Sequence, residues 1–193
     1  MYKSSLSTGY GKEKLEFYIN AYRFEVATGL RPGEIIGLER KDISAGTVHL
    51  KRSINVDCDE TSGKNDNARR SFVLTPVAQA ALALQFAMLK KYQIESKYVF
   101  PDKYGEHILP SVYYKHWVRY RDYVGIAKAS PYELRHTFAS IVKRLPEGYL
   151  KQLVGHSKNM DTYGTYSHEM DGDMETTAAL VNDIFKDIFK GVL

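Results

Sequence analysis

The 193-residue chain contains a single cysteine, Cys58. One thiol cannot close an intrachain disulfide, and with no paired metal-ligand spacing around it a zinc site is not expected. The six histidines are dispersed and none forms an HExxH pair, so no metal and no other cofactor is implied. The sequence has neither a signal-peptide pattern nor an apolar run of the roughly 20 residues that a bilayer-crossing helix needs. No membrane partner is expected, and the natural expectation is a cytoplasmic protein.

What is present suits a folded globule. Hydrophobic residues make up 44% and aromatic residues 12% of the chain, enough to bury a proper core in one domain or in a domain with an appendage. The net charge of +4 is mild but uneven. Residues 156–193 carry 3 Lys and Arg against 7 Asp and Glu, which leaves 24 against 16 in residues 1–155. A cationic body with an acidic end is what a protein facing phosphates needs, although ordinary charge scatter gives the same count.

The periodicity predicts mostly helix with one small antiparallel sheet, an α+β domain. Glu13 to Thr28 reads as a helix that Gly29 breaks, and Pro32 opens another with Ile35, Ile36 and Leu38 at helical spacing. Gly46 to Asp57 reads as a strand and Arg70 to Leu74 as its partner, with the polar turn Asp59 to Asn67 between them placing Lys64 on a hairpin tip. Thr75 and Pro76 cap a helix running to about Lys91. Val99-Phe100-Pro101 suggests a short buried strand or turn. Pro110 opens an aromatic helix in which Tyr113, Trp117 and Tyr120 read as core, with Arg119 and Arg121 exposed around them and able to touch phosphates. Pro131 to Phe138 reads as a loop feeding a helix. From Met174 to Leu193, Leu180, Val181, Ile184, Phe185, Ile188 and Phe189 form an apolar stripe that must bury against something.

Five short segments carry chemistry together that none carries alone. They are ATGLRPGE around Arg31, SGKNDNARR around Lys64, PYELRHTFAS around Arg135, LVGHS around His156 and TYGTYSH around Tyr166. A lone arginine beside a glycine is usually a surface or helix-end residue, a loop lysine is usually solvated, and Tyr166 is one of 15 tyrosines. Context separates Arg31 from that background, because Glu34 sits where it can pair with the arginine, complete the new helix start and orient the guanidinium.

Jointly these segments resemble the signature of the tyrosine recombinase, or phage-type integrase, family, in the style of integrases from conjugative transposons and phages of Gram-positive bacteria. The family pattern of Gly-His-Ser, a Thr, a Tyr four residues on, then a small hydroxyl residue and His is filled by His156, Thr162, Tyr166, Ser167 and His168. Tyr163 is the rival nucleophile, but it has the wrong offset and no Ser-His after it. The resemblance runs from about Glu13 to about His168.

The resemblance implies cleavage and rejoining of DNA at double-stranded attachment sites through a 3′-phosphotyrosyl intermediate, and the residue types fit that chemistry. Attack by a side-chain oxygen loads negative charge on the non-bridging oxygens and on the departing 5′ oxygen. Arg31 and Arg135 supply permanent positive charge in a planar fork that can grip two phosphate oxygens. Tyr166 gives a covalent ester that splits one hard step into two. Lys64 and His156 are the groups that can pass a proton to the leaving oxygen. Arg69 and Arg70, on the strand after the hairpin, match the family's arginine-rich strand and are expected on the DNA. His136 is expected to play a supporting part as a core histidine bonded to backbone, and His168 another.

Tyr132 is the departure. The family commonly has His three residues before the second arginine, whereas a phenol ordinarily titrates near 10 and an imidazole at about 6.5. A phenol can donate to a phosphate oxygen but shuttles protons poorly at neutral pH. Either the site accepts a donor there and Lys64 with His156 moves the protons, or activity is impaired; the first is the expectation. Family members usually carry an N-terminal DNA-binding domain, so residues 1–193 are expected to be the catalytic domain of a longer integrase, with 1–12 a linker or domain start. The helix from 174 to 193 caps its own domain or passes to a neighbouring subunit, and a tetramer on DNA is expected. A type IB topoisomerase and a non-catalytic DNA-binding relative are the alternatives.

Overall fold

The first helix, α1 (Gly9–Thr28), buries Tyr18, Ala21, Tyr22, Phe24 and Ala27 on one face. The computed structural model describes residues 9–61, 69–145 and 173–188 of the chain, with the side chains among them from Phe17 onward except those of Arg144, Asp173 and Ile188. Helix α1 ends because Gly29 turns to φ +66°, a conformation that costs glycine little, while its N–H still reaches the Glu25 carbonyl at 2.8 Å. Arg31 then caps the short helix α2 (Pro32–Gly37) with extended backbone, and Pro32 occupies the first helical turn as expected. The helix is shorter than its apolar run, since Leu38 is already extended.

A 3₁₀ turn at Arg40–Asp42 leads into β1 (Ile43–Ser44) and β2 (Thr47–Leu50). Strand β2 pairs antiparallel with β5 (Arg70–Val73), placing Val48 opposite Phe72 and Leu50 opposite Arg70. The expected single strand from Gly46 to Asp57 is not formed. It breaks at Lys51 and Arg52, and β3 (Ser53–Ile54) instead pairs with β4 (Glu60–Thr61) in a second sheet. At the break the Arg52 guanidinium is paired with Asp42 at 2.6 Å and with Glu39 at 3.1 Å. Asp59 and Glu60 therefore leave the expected hairpin tip. Asn55 Oδ1 accepts the N–H groups of Asp57 and Asp59 at 2.9 and 2.8 Å, so the first tight turn lies within 55–59.

Helix α3 (Pro76–Lys91) starts at Thr75, whose hydroxyl accepts the Ala78 N–H at 3.3 Å. It packs along α1 and holds the buried segment at Val99 and Phe100 through Gln85 Nε2, which donates to the Val99 carbonyl at 3.0 Å. That segment forms single bridges, Glu39 with Tyr98 and Pro101 with His107, rather than a full strand.

Helix α4 (Pro110–Val124) buries Tyr113 and Trp117, with Tyr120 packed partly against the core. Arg119 is exposed as expected, but Arg121 is not. Its side chain is 13% exposed and donates to the Ala129 carbonyl at 2.7 Å, beside Trp117 Nε1, which donates to the same oxygen at 2.8 Å. Together they clasp the loop that leads into α5 (Tyr132–Ile141).

Helix α6 (Asp173–Ile188) docks on the same chain, against α3 and β5. Thr177, Ala178, Val181 and Phe185 form its buried stripe, with Phe185 6.4 Å from Phe138 between ring centroids, whereas Leu180 faces outward at 38% exposure. Phe189 lies outside the described residues. The architecture is a mainly helical α+β domain with small antiparallel sheets, in which α1, α2, β5 and α5 converge on one spot.

Candidate active site

That spot is organised by Glu34, a carboxylate 2% exposed on α2. Glu34 Oε2 accepts the Arg31 backbone N–H at 2.8 Å, and Oε1 accepts Arg31 Nη1 at 2.9 Å, so one acid fixes both the backbone and the guanidinium of Arg31. Arg70 completes the arrangement from β5, with Nη1 3.1 Å from Oε1 and Nη2 3.0 Å from Oε2. Burial pushes the Glu34 carboxyl up, but Arg70 and Arg31 outweigh it and hold the group below the ordinary carboxylate range. The Arg31 side chain stays 36% exposed, available to a ligand. Arg70 is 6% exposed and faces inward, so its first role is to brace Glu34 rather than to reach DNA.

Arg135 enters from α5 and is 4% exposed. Its Nη1 donates to the Gly29 carbonyl at 2.7 Å, across 106 positions of chain, and so lands beside the turn that presents Arg31. Burial lowers the Arg135 pKa, and the nearby charge of Arg31 lowers it further, with Glu34 opposing. Burial alone would lower Arg31 too, but Glu34 and Tyr132 reverse this and raise it. Among the described residues, the guanidinium groups of Arg31, Arg70 and Arg135 thus gather around the Glu34 carboxylate, an excess of positive charge suited to a phosphate.

Tyr132, at the first turn of α5, is 41% exposed and close enough to Arg31 to favour its charged form. The expectation for His136 is overturned. It is exposed rather than a core residue, because α5 turns Arg135 and Phe138 inward and leaves position 136 on the outer face. There its ring stands edge-on to Tyr132, 5.0 Å between centroids.

Lys64, His156, Tyr163, Tyr166 and His168 lie outside the described residues. Arg69 is described and exposed. One residue escaped the sequence reading: Glu25, fully buried on α1 behind Arg135. A carboxylate three residues after Tyr22 and four after Ala21, on the apolar face of the helix, was the available signal. Among the described residues no group of three or more His, Cys, Asp or Glu gathers as metal ligands would, and no helix is long and apolar enough to cross a membrane.

The family model described as "Phage integrase family" matches residues 14–172. No curated protein sequence matches. Among solved structures, the Tn1549 transposon integrase in complex with circular intermediate DNA is 17% identical with a TM-score of 0.63, over 88% of this chain and 64% of that one. XerA recombinase is 20% identical with a TM-score of 0.56, over 90% and 63%. A lambda integrase tetramer bound to a Holliday junction is 14% identical with a TM-score of 0.55, over 85% and 48%. These likenesses are ones of fold, and the chain spans less than two thirds of each of those proteins.

Proposed function

The chain belongs to the phage integrase family, and from that membership we propose that it is the catalytic domain of a site-specific recombinase, which cuts and rejoins DNA through Tyr166. The observation that carries this reading is the meeting of Arg31 and Arg135 around Gly29, one half-exposed and one buried, each held in place so that both forks are suited to gripping an anion. As the Tyr166 oxygen attacks phosphorus it gives up its proton, to His156 or to water, while the bond to the 5′ oxygen breaks and Lys64 gives that oxygen a proton. His156 and the two arginines hold the non-bridging oxygens, and each such donor contributes on the order of 10²–10³ in rate. Tyr132 adds a hydrogen-bond donor where the family usually has histidine.

Double-stranded DNA attachment sites are the proposed substrate, contacted by the exposed Arg69 and Arg119. Arg70 and Arg121 contribute by bracing the site and its loop. Self-association on DNA, as a tetramer, fits the relative that was solved in that form. The test is a nicked suicide duplex followed by detection of a detergent-resistant protein–DNA adduct. Wild type and Tyr163→Phe should form it and Tyr166→Phe should not. No adduct with any of them favours a DNA-binding module without catalysis.

A further inference from the structure

Beneath the arginine pair lies a second acid that this scheme does not use. Glu25 is 0% exposed and occupies the last turn of α1. Its backbone carbonyl accepts the Gly29 N–H at 2.8 Å, and the Gly29 carbonyl accepts Arg135 Nη1 at 2.7 Å. The turn that carries Glu25 is therefore the turn that seats Arg135.

The side chain is held from the opposite side. Tyr113, from α4 and itself 1% exposed, donates its hydroxyl to Glu25 Oε2 at 2.6 Å, while the Tyr22 hydroxyl anchors the Tyr113 carbonyl at 2.7 Å. Among the described residues, Oε1 has no hydrogen-bond partner. An ionised carboxylate with a single hydrogen bond at a fully buried position carries a heavy desolvation cost, which a protonated carboxyl avoids. Among the described residues, the titratable and charged groups facing it are Tyr22 on its own helix, Tyr113 from α4, Glu34 from α2 and Arg135 from α5. Burial, reinforced by Glu34, drives its pKa well above the usual carboxylate range, with Tyr113 and Arg135 opposing.

We propose that Glu25 is a positioning residue of the phosphate site, a neutral buried carboxyl that braces the Gly29 turn under Arg135 and adds no negative charge to the arginine cluster. The proposal rests on the reading of that cluster as a phosphate grip. Losing the Glu25 proton would place a negative charge beneath Arg135 and weaken the hold on DNA.

The carbonyl stretch of a protonated carboxyl, taken as the infrared difference between wild type and Glu25→Gln, reads the proton directly. In the same buffers, fluorescence anisotropy reads affinity for a labelled duplex. The band should be present at neutral pH and fade as pH rises. Duplex affinity should fall with it in wild type, by about tenfold more than in Glu25→Gln, where no such proton exists. Tyr113→Phe removes the hydrogen bond that favours the charged form, so both transitions should move to higher pH, which provides a second test should Glu25→Gln not fold. Absence of the band at neutral pH, or identical affinity profiles in wild type and Glu25→Gln, overturns the proposal. Adduct formation is not part of this readout, so failure of the recombinase reading would show separately.

Discussion

Arg70 grips both carboxylate oxygens of Glu34, at 3.1 and 3.0 Å, and thereby locks the residue that orients Arg31. A strand and a helix 36 positions apart are tied at the point where the phosphate grip begins. Removing one member leaves the other buried and uncompensated. Glu34→Ala should lower stability by about 3–5 kcal/mol in chemical denaturation and abolish adduct formation, because Arg31 loses both its anchors. A Glu34→Ala protein as stable as wild type would show that Arg70 carries no such burden.

Acid should find the same pair. Glu34 is held below its ordinary value of 4.5, so it contributes stability that is present above that value and lost as pH falls through the lower folded one. Thermal melts at decreasing pH below about 4.5 should therefore fall more steeply for wild type than for Glu34→Gln. Parallel curves would place the acid sensitivity elsewhere.

Gly29 is where backbone geometry and chemistry meet. Its φ of +66° disfavours any side chain, and a Cβ there would run into the ring of Phe138. Gly29→Ala should cost about 2–5 kcal/mol, from left-handed strain and overpacking together. It should also reduce adduct yield at temperatures where the variant is still folded, since the Gly29 carbonyl seats Arg135. Unchanged yield in a folded variant would mean that Arg135 does not depend on this carbonyl.

Local signals were the legible part of this fold. The Gly29-Leu30-Arg31-Pro32 turn and the Thr75-Pro76 cap each follow from a few adjacent residues, and the pairing of Arg70 to Val73 with the strand at Val48 follows from two alternating runs on either side of a polar turn. What depended on distant partners was not legible. The alternation of Val48, Leu50 and Ile54 suggested one strand, whereas β2 and β3 pair with different partners and Arg52 at the break is tied to Asp42 and Glu39, contacts that the alternation does not encode. The inward turn of Arg70 needed Glu34, and the acceptor role of Glu25 needed Tyr113, 88 positions away. His136 was misjudged for a simpler reason: with Arg135 and Phe138 both facing inward, helical spacing puts position 136 on the outside.

Tyr132 offers a gain-of-function test. Tyr132→Phe keeps the ring and removes the donor beside Arg31, so adduct formation should slow by roughly tenfold or more. Tyr132→His restores a group that titrates near 6.5, and the ratio of its rate to that of wild type should then vary with pH in that range. Equal rates for Tyr132→Phe and wild type would make this residue a spectator.

The C-terminal helix decides between two expectations for the tail. Phe185 is 1% exposed and packs against Phe138 on α5 of its own chain, close in sequence to Arg135. Docking within one chain predicts that Phe185→Ala loses about 3–5 kcal/mol of buried packing, lowering Tm by roughly 10 °C, independent of protein concentration. Exchange between subunits predicts instead that the loss grows on dilution, because the partner's helix must be captured from solution. Melts at two protein concentrations, with sedimentation of wild type and Phe185→Asp alongside, separate the two. A concentration-independent Tm together with unchanged sedimentation would rule out helix exchange in the absence of DNA and confine any assembly through this helix to the DNA-bound state.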